Sequence, residues 1–236
     1  MMRRREFITL LGGAAAISPL TAHARQRDER VRRIGLLINL AADDPESQAR
    51  RAAFQQGLQQ LGWTDGRNVR IIARWGAGDA NQIRSSAAEL VAIAPDVIVA
   101  TSSPALAASQ HATRTVPIVF TSVVDPVGGG FVDSLARPGG NATGFGIYEY
   151  GMSAKWLELL KEIAPRVTRV AVLRDAAISS GVGQLGAIQS VAPSFGVELS
   201  PLNMRDASEI ERAVTAFAQS PNVGLIVSGS AAATVH

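Results

Sequence analysis

The chain has 236 residues, a formal net charge of +3 and no cysteine. Hydrophobic residues make up 47% and charged residues 18%, which excludes global disorder and suits one large or two small domains with a buried core. The lack of cysteine excludes disulfides, thiolate metal sites and cysteine nucleophiles. Because the positive charges are scattered rather than gathered in a stripe, no nucleic-acid partner is predicted.

The first residues, 1–24, have the layout of a secretory signal peptide. A basic start is followed by an apolar stretch over 7–20 and by Ala22-His23-Ala24, a small-x-small cleavage signal. Arg4-Arg5-Glu6-Phe7-Ile8 resembles the twin-arginine export pattern. The alternative is an uncleaved membrane anchor, but the apolar stretch is short and interrupted by glycine and proline. We therefore expect a periplasmic protein that is not inserted in the membrane once the signal is removed.

From residue 30 onward, strand and helix patterns alternate. Apolar runs predict strands over 33–38, 69–75, 97–100, 116–120, 170–173, 196–202 and 223–228. Helical spacing predicts helices over 46–61, 81–93, 104–113, 127–135, 153–164, 184–193 and 207–219. This alternation predicts an α/β fold with parallel sheets flanked by helices.

A glycine- and proline-rich segment over 137–144 interrupts the pattern and predicts a boundary between two α/β lobes. We assign 30–144 to the first lobe and 145–236 to the second. The second lobe has three clear strands before the sequence ends, so we expect it to be incomplete, with an exposed apolar sheet edge.

Small polar side chains follow most of the predicted strands. In open parallel sheets, ligands bind outside the carboxyl ends of the strands. The first-lobe candidates are Asn39, Thr101, Ser102, Ser103, Ser122 and Asp125. The second-lobe candidates are Arg174, Asp175 and Ser228. Together they predict a cleft for a small polar ligand.

Ser103, Asp125 and the tyrosines past the lobe boundary each have both a structural and a ligand-binding interpretation. Ser103, before Pro104, is expected to cap the helix that follows, and the free N–H groups there would also favour a carboxylate. Asp125 before Pro126 is either a common turn or a partner for a ligand ammonium group. Tyr148 and Tyr150, just past the lobe boundary, are either walls of the cleft or exposed loop residues.

Signals for catalysis and for metal binding are weak. The sequence has no Gly-x-Ser-x-Gly elbow and no phosphate-binding loop of the Walker type. Asp43, Asp44 and Glu46 are close in sequence, but no histidine or cysteine joins them, and they are typical helix-start acids. We expect no enzymatic activity, no metal and no cofactor.

Five stretches carry a family resemblance: residues 116–120, 125–127, 135–144, 155–161 and 169–173. Through them the sequence resembles ABC-transporter substrate-binding proteins of the type I periplasmic-binding class, in the group with tryptophan- and tyrosine-type members. The resemblance implies two Rossmann-like lobes, a hinge, and a small ligand held between the lobes. It also implies an ABC permease and an ATPase as partners.

Carried over by position, the ligand loops would be 39–42, 101–105 and 122–125, which adds Ala105 to the first-lobe candidates. The second lobe would contribute Arg174, Asp175 and 228–230. The expected function is the extracytoplasmic solute-binding component of an ABC importer, for an amino acid or a related carboxylate. Two alternatives are a sensor lobe that feeds a signalling partner and an exported α/β enzyme.

Overall fold

The computed structural model describes residues 30–203 and 207–229. The chain divides into Met1–Val31 and Arg32–His236, and the second unit holds every helix and strand named below. The predicted signal peptide, 1–24, lies outside the described residues. Within the described part of the chain, no helix combines the length and the apolar character needed to cross a membrane.

The first sheet has five parallel strands in the order β2-β1-β3-β4-β5. Its strands are β1 (Arg32–Ile38), β2 (Val69–Trp75), β3 (Val97–Thr101), β4 (Ile118–Val123) and β5 (Ala142–Gly146). The connecting helices are α1 (Pro45–Gln60), α2 (Ala80–Ala92) and α3 (Ser103–Ala112). Because all the pairings in this sheet are parallel, the carboxyl ends of its strands lie at one edge.

Alternate residues of the interior strand β1 face two separate cores. Leu37 packs with Leu90 and Ile98 in the cluster that includes α2 and α3 residues. Leu36 belongs to the opposite cluster, against which Phe54 of α1 packs. A strand covered on both faces reads as a continuous apolar run, which is why β1 was recognisable from the sequence. Full burial of each such side chain contributes about 1.5–3 kcal/mol.

Among the described residues, the second sheet has three parallel strands in the order β7-β6-β8. Its strands are β6 (Arg169–Arg174), β7 (Glu198–Asn203) and β8 (Val223–Val227), and its helices are α4 (Met152–Ile163), α5 (Ser179–Val191) and α6 (Ala207–Ala218). Leu157, Val172 and Ile188 join α4, β6 and α5 in one core. In the described part of this sheet β8 is an edge strand, and its Leu225 and Val227 are 41% and 46% exposed.

Two sequence-based assignments in the first lobe are wrong. The helix predicted over 127–135 is a series of turns, in which the Gly129 N–H bonds the Asp125 carbonyl and the Phe131 N–H bonds the Pro126 carbonyl. Three consecutive glycines, each costing a helix about 1 kcal/mol, explain the failure. The unpredicted strand β5 lies so close to β4 that a Cβ at Gly144 would overlap the Phe120 carbonyl oxygen. Gly144 therefore allows the close pairing of β5 with β4, and it is not only an interruption in the helix and strand pattern.

Candidate functional site

The hydroxyls at the end of β3 satisfy groups of their own lobe. The Thr101 Oγ1 donates to the Leu37 carbonyl at 3.2 Å. Ser102, not Ser103, is the N-cap of α3, because its Oγ accepts the Ala105 N–H at 3.3 Å while Ser103 already begins the helix. Pro104 is therefore the second helical residue, and the prediction that Ser103 is the cap was wrong. Ser103 and Ala105 are both buried.

The other first-lobe candidates lie at the same edge of the sheet. Asn39 follows β1, is 9% exposed, and accepts the Gly78 N–H on its carbonyl at 2.7 Å. Ser122 lies in β4 with a φ of 57°, where the pairing with β5 shifts register. The positive φ turns the end of β4 and places Ser122 in a conformation that a serine rarely adopts. The strand end is therefore an irregular segment that leads directly into Asp125.

Asp125 connects the end of β4 to the segment that precedes α4. Its two carboxylate oxygens accept the Gly128 N–H at 2.7 Å and the Tyr150 N–H at 2.9 Å. Its own N–H donates to the Tyr148 carbonyl at 2.8 Å. The turn predicted for Asp125-Pro126 is present, and the carboxylate also holds the 148–150 segment. Each oxygen keeps lone-pair capacity, because a carboxylate accepts about four hydrogen bonds.

The second-lobe candidates lie at the carboxyl edge of the second sheet, and two of them have structural partners. The Asp175 Oδ1 accepts the Ala177 N–H at 2.9 Å and forms a tight turn before α5. The Ser228 Oγ and N–H both donate to the Leu173 carbonyl, at 3.0 and 2.9 Å, and extend the pairing of β8 with β6. Arg174, the last residue of β6, has a buried Nε with no hydrogen-bond partner.

Tyr148 packs between α4 and α5, where both its ring and its hydroxyl have partners. Its ring meets that of Trp156 edge to face, with centroids 5.8 Å apart. Its hydroxyl accepts the Gln184 Nε2 at 3.0 Å. A Cβ at Gly229 would lie 3.4 Å from the same hydroxyl, so Tyr148 reaches the end of β8. Together with Asp125, it joins the end of the first sheet to the helices of the second lobe.

Sequence reasoning missed Ser179 and Gln184, and it interpreted Tyr150 only as a wall of the cleft or an exposed loop residue, together with Tyr148. The Tyr150 ring lies directly on Gly183 of α5, where a Cβ would overlap it. The hydroxyls of Tyr150 and Ser179 are buried without a hydrogen-bond partner. The available signal was the run Ser179-Ser180-Gly181-Val182-Gly183. Its two glycines suggested a loop, whereas they are helical positions that other backbone or side-chain atoms approach closely.

Unpartnered polar atoms concentrate at this second edge. Eight buried side-chain N or O atoms of the described residues have no hydrogen-bond partner, and five belong to the carboxyl edge of the second sheet and the residues packed on it. These five atoms are Tyr150 Oη, Arg174 Nε, Ser179 Oγ, Gln184 Oε1 and Asn203 Oδ1. Arg174 and Asn203 are register partners on adjacent strands. Since buried polar groups are normally paired, this edge has unused hydrogen-bonding capacity.

The Tyr150 phenol is held in its neutral form. Burial, the largest effect, raises its pKa; the adjacent Ser179 hydroxyl lowers it, and the Asp125 carboxylate raises it. The Ser179 hydroxyl is close enough to affect the pKa, although the two hydroxyls do not reach hydrogen-bond geometry. At neutral pH, Tyr150 therefore presents an O–H donor.

A separate cavity of about 420 Å³ lies beside the end of β2. None of the predicted ligand-binding residues lines it, although Ala42 of the expected 39–42 loop does. The Arg74 Nε and the Glu89 Oε2, 2.8 Å apart, form an ion pair at its wall. In the segments that the structure describes, no group of three histidine or acidic side chains is placed to hold a metal ion.

Two parallel sheets with polar carboxyl edges are typical of α/β proteins that bind a ligand. Similarity to known proteins identifies the family within this class. The family model described as ABC transporter substrate binding protein matches residues 37–232, and the chain belongs to this family. The family is defined by substrate binding rather than catalysis, which confirms the expectation that the chain is not an enzyme.

Individual relatives agree with the family. The chain is 25% identical to a tyrosine-binding protein of Clostridioides difficile (strain R20291) over 228 residues, which are 92% of this chain and 66% of that protein. A conserved domain protein from Vibrio cholerae is 27% identical with a TM-score of 0.71, over 80% of this chain and 63% of that one. This chain therefore spans just under two thirds of the length of these relatives.

A third comparison concerns the fold alone. The ABC domain from Streptococcus pneumonia, solved in complex with L-Trp, has a TM-score of 0.74 at 23% identity, over 87% of this chain and 68% of that one. A leucine binding protein from Thermotoga maritima has a TM-score of 0.58 at 13% identity, over 78% of this chain and 53% of that one. The predicted type I periplasmic-binding-protein fold is confirmed.

Proposed function

We propose that this protein is the extracytoplasmic solute-binding component of an ABC importer and that its ligand is an amino acid or a related carboxylate. The observation that carries the proposal is the set of buried polar atoms without partners at the carboxyl edge of the second sheet. In parallel α/β sheets this edge is where ligands bind. The relatives that bind tyrosine or L-Trp favour an amino acid over a sugar.

In this proposal the ligand lies between a first lobe, 30–144, and a second lobe, 145–236, which close on it by a hinge motion. The first lobe contributes Ser103 and Asp125, and the second contributes Arg174. Asp125 receives the ligand ammonium group on the lone pairs that its two backbone hydrogen bonds leave over. An ABC permease and an ATPase are the protein's partners in this proposal.

The experiment is a thermal-shift screen of the chain against α-amino acids, other small carboxylates and sugars, followed by calorimetry on each hit. We expect aromatic amino acids to raise the melting temperature. Small-angle scattering should show a smaller radius of gyration with the ligand present, since closure compacts the protein. A cooperative melt that only sugars shift would contradict the proposal.

The role of Asp125 is tested separately with Asp125→Asn. We expect this variant to bind the amino acid more weakly, within the range of about 2–5 kcal/mol seen when one member of a desolvated charge pair is lost. Its affinity for the des-amino analogue should change much less. Asp65→Asn is the matched control, because the Asp65 Oδ1 accepts the Ile71 N–H at 2.9 Å on the strand that begins at Val69. Equal losses for both ligands would remove Asp125 from the ammonium site.

We also propose that residues 1–24 direct export by the twin-arginine route. Replacing Arg4 and Arg5 together by lysine should retain the precursor in the cytoplasm, because that route requires the arginine pair. Fractionation of cells that express the parent and the variant measures this directly. Export that survives the double replacement would assign the leader to a different route.

A further inference from the structure

We propose that the start of α5, together with Tyr150, forms the subsite that binds the carboxylate group of the ligand. The proposal rests on the proposed function, since it names the part of the ligand that this edge recognises. Ser179 and Arg174 are the neighbouring donors. Of these three residues, Arg174 was among the predicted ligand-binding residues, Tyr150 was considered only as a wall of the cleft, and Ser179 was not considered.

The first observation concerns the N-terminus of α5. Its N-cap residue is Ile178, which has no side-chain acceptor, so no side chain caps the first-turn N–H groups. Free N–H groups and the positive end of the helix dipole favour an anion at this position. Gly181 lies in this first turn, and a Cβ there would overlap the Asp175 carbonyl oxygen. The loop after β6 is thus packed tightly against the helix start.

The second observation is independent and concerns Gln184, one turn further along α5. This residue is fully buried, its Nε2 donates to the Tyr148 hydroxyl, and its Oε1 has no partner. Long side chains on a helix lean toward its N-terminus, so the Gln184 amide is directed to the first turn of α5. A buried carbonyl oxygen without a donor is unfavourable unless a ligand N–H or O–H reaches it.

The third observation is the set of donors beside this helix start. The Tyr150 ring covers Gly183, one turn after Ser179, and both hydroxyls are buried without a partner. The Arg174 Nε–H at the end of β6 is also buried and unpartnered. Two hydroxyl donors, a guanidinium N–H and the free helix N–H groups all suit a carboxylate.

The chemistry of the ligand follows from these groups. The donors at the start of α5 favour an anion, and the unpaired acceptor, Gln184 Oε1, suits a nearby N–H or O–H. A compound with a carboxylate and an adjacent amine satisfies both, whereas a sugar supplies no anion. The α-amino acids are the simplest compounds of this class.

The test compares Tyr150→Phe and Ser179→Ala with the parent by calorimetry, using L-tyrosine, tyramine, which lacks the carboxylate, and 4-hydroxyphenylpropionate, which lacks the amine. We expect each substitution to weaken L-tyrosine binding by about 10- to 100-fold, the effect of losing one hydrogen bond to a charged group. Tyramine affinity should stay the same. Ser190→Ala is the matched control, because the Ser190 Oγ donates to the Ala187 carbonyl on the exposed far part of α5.

The outcomes separate the subsite from the proposed function. L-tyrosine binding that neither substitution weakens would overturn the carboxylate subsite and leave the proposed function standing. Another outcome is that the parent binds 4-hydroxyphenylpropionate but not L-tyrosine, and that both substitutions weaken the binding of 4-hydroxyphenylpropionate. This outcome would support the carboxylate subsite and overturn the assignment of an amino acid as the ligand. Equal weakening of tyramine and L-tyrosine would reduce both residues to a structural role. A folded parent that binds none of the α-amino acids and small carboxylates of the thermal-shift screen would overturn both proposals.

Discussion

Removing the Asp125 side chain tests whether the link between β4 and the 148–150 segment stabilises the fold. Asp125→Ala deletes the acceptor of two backbone hydrogen bonds, from Gly128 at 2.7 Å and Tyr150 at 2.9 Å. At this half-buried position we take the low end for a charged acceptor, about 1.5 kcal/mol for each bond. Alanine also tolerates the φ of 42° less well than aspartate, which adds about 1 kcal/mol. The expected loss is about 3–4 kcal/mol.

Urea unfolding followed by circular dichroism measures this loss, provided that the slope against denaturant stays constant. Asp125→Asn keeps one acceptor oxygen and the tolerance of a left-handed backbone, so it should lose about half as much. Asp43→Ala, an exposed acid before α1, is the control and should stay within about 0.5 kcal/mol of the parent. An Asp125→Ala variant as stable as this control would refute the linking role.

Three further changes test other parts of the structure. Gly181→Ala should lower the free energy of unfolding by about 2 kcal/mol, because the new Cβ would overlap the Asp175 backbone. Gly186→Ala in the same helix has open space around it and should raise the free energy of unfolding by about 0.5–1 kcal/mol. Unfolding midpoints of the two variants that shift in the same direction would contradict this. Ser102→Ala should cost about 1 kcal/mol of unfolding free energy, and a larger loss for Ser103→Ala would restore Ser103 as the cap. The raised pKa of Tyr150 means that the folded state holds the phenol proton more tightly than the unfolded state does. The free energy of unfolding should therefore fall as the pH rises above about 10. An equal fall in Tyr150→Phe would show that Tyr150 is not the cause.

The sheet strands were predictable because buried parallel strands have continuous apolar runs, and every predicted strand is present with ends shifted by a few residues. Glycine caused the errors in both directions. The run Gly128-Gly129-Gly130 was assigned to a helix because the apolar residues around it have helical spacing. Gly144 was read as a break although it belongs to β5. A glycine in the sequence shows that a side chain is not tolerated or not needed at that position. It does not show which neighbouring atom approaches the backbone there.

The candidate site was predictable only as a location. The carboxyl edges follow from the strand assignments, so Thr101, Ser102 and Arg174 were correctly placed at strand ends. The partners of Asp175 and Ser228 depend on local backbone geometry, which has no sequence pattern of its own. Tyr150 was considered beside Tyr148 as a wall of the cleft but was not placed among the ligand-binding residues, because nothing in a linear pattern shows that its ring lies on α5.

The two edges differ in a way that leads to one more prediction. At the first edge, Thr101 and Ser102 are already paired with backbone groups, whereas the second edge leaves Tyr150, Ser179 and Gln184 with buried atoms unpaired. Each such atom costs about 1–3 kcal/mol, so a ligand that pairs them should stabilise the second edge more than the first.

Hydrogen exchange with and without a saturating ligand tests this prediction. At 100 times the dissociation constant, a ligand adds about 2.7 kcal/mol to the stability of the folded state. We expect the amides at the start of α5 to gain protection beyond the general increase, because they lie at the unpaired groups. The amides at the start of α3, already capped by Ser102, should gain only the general increase. Larger protection at α3 than at α5 would mean that the ligand is held mainly by the first lobe, and the unpaired atoms of the second edge would then have no part in binding it.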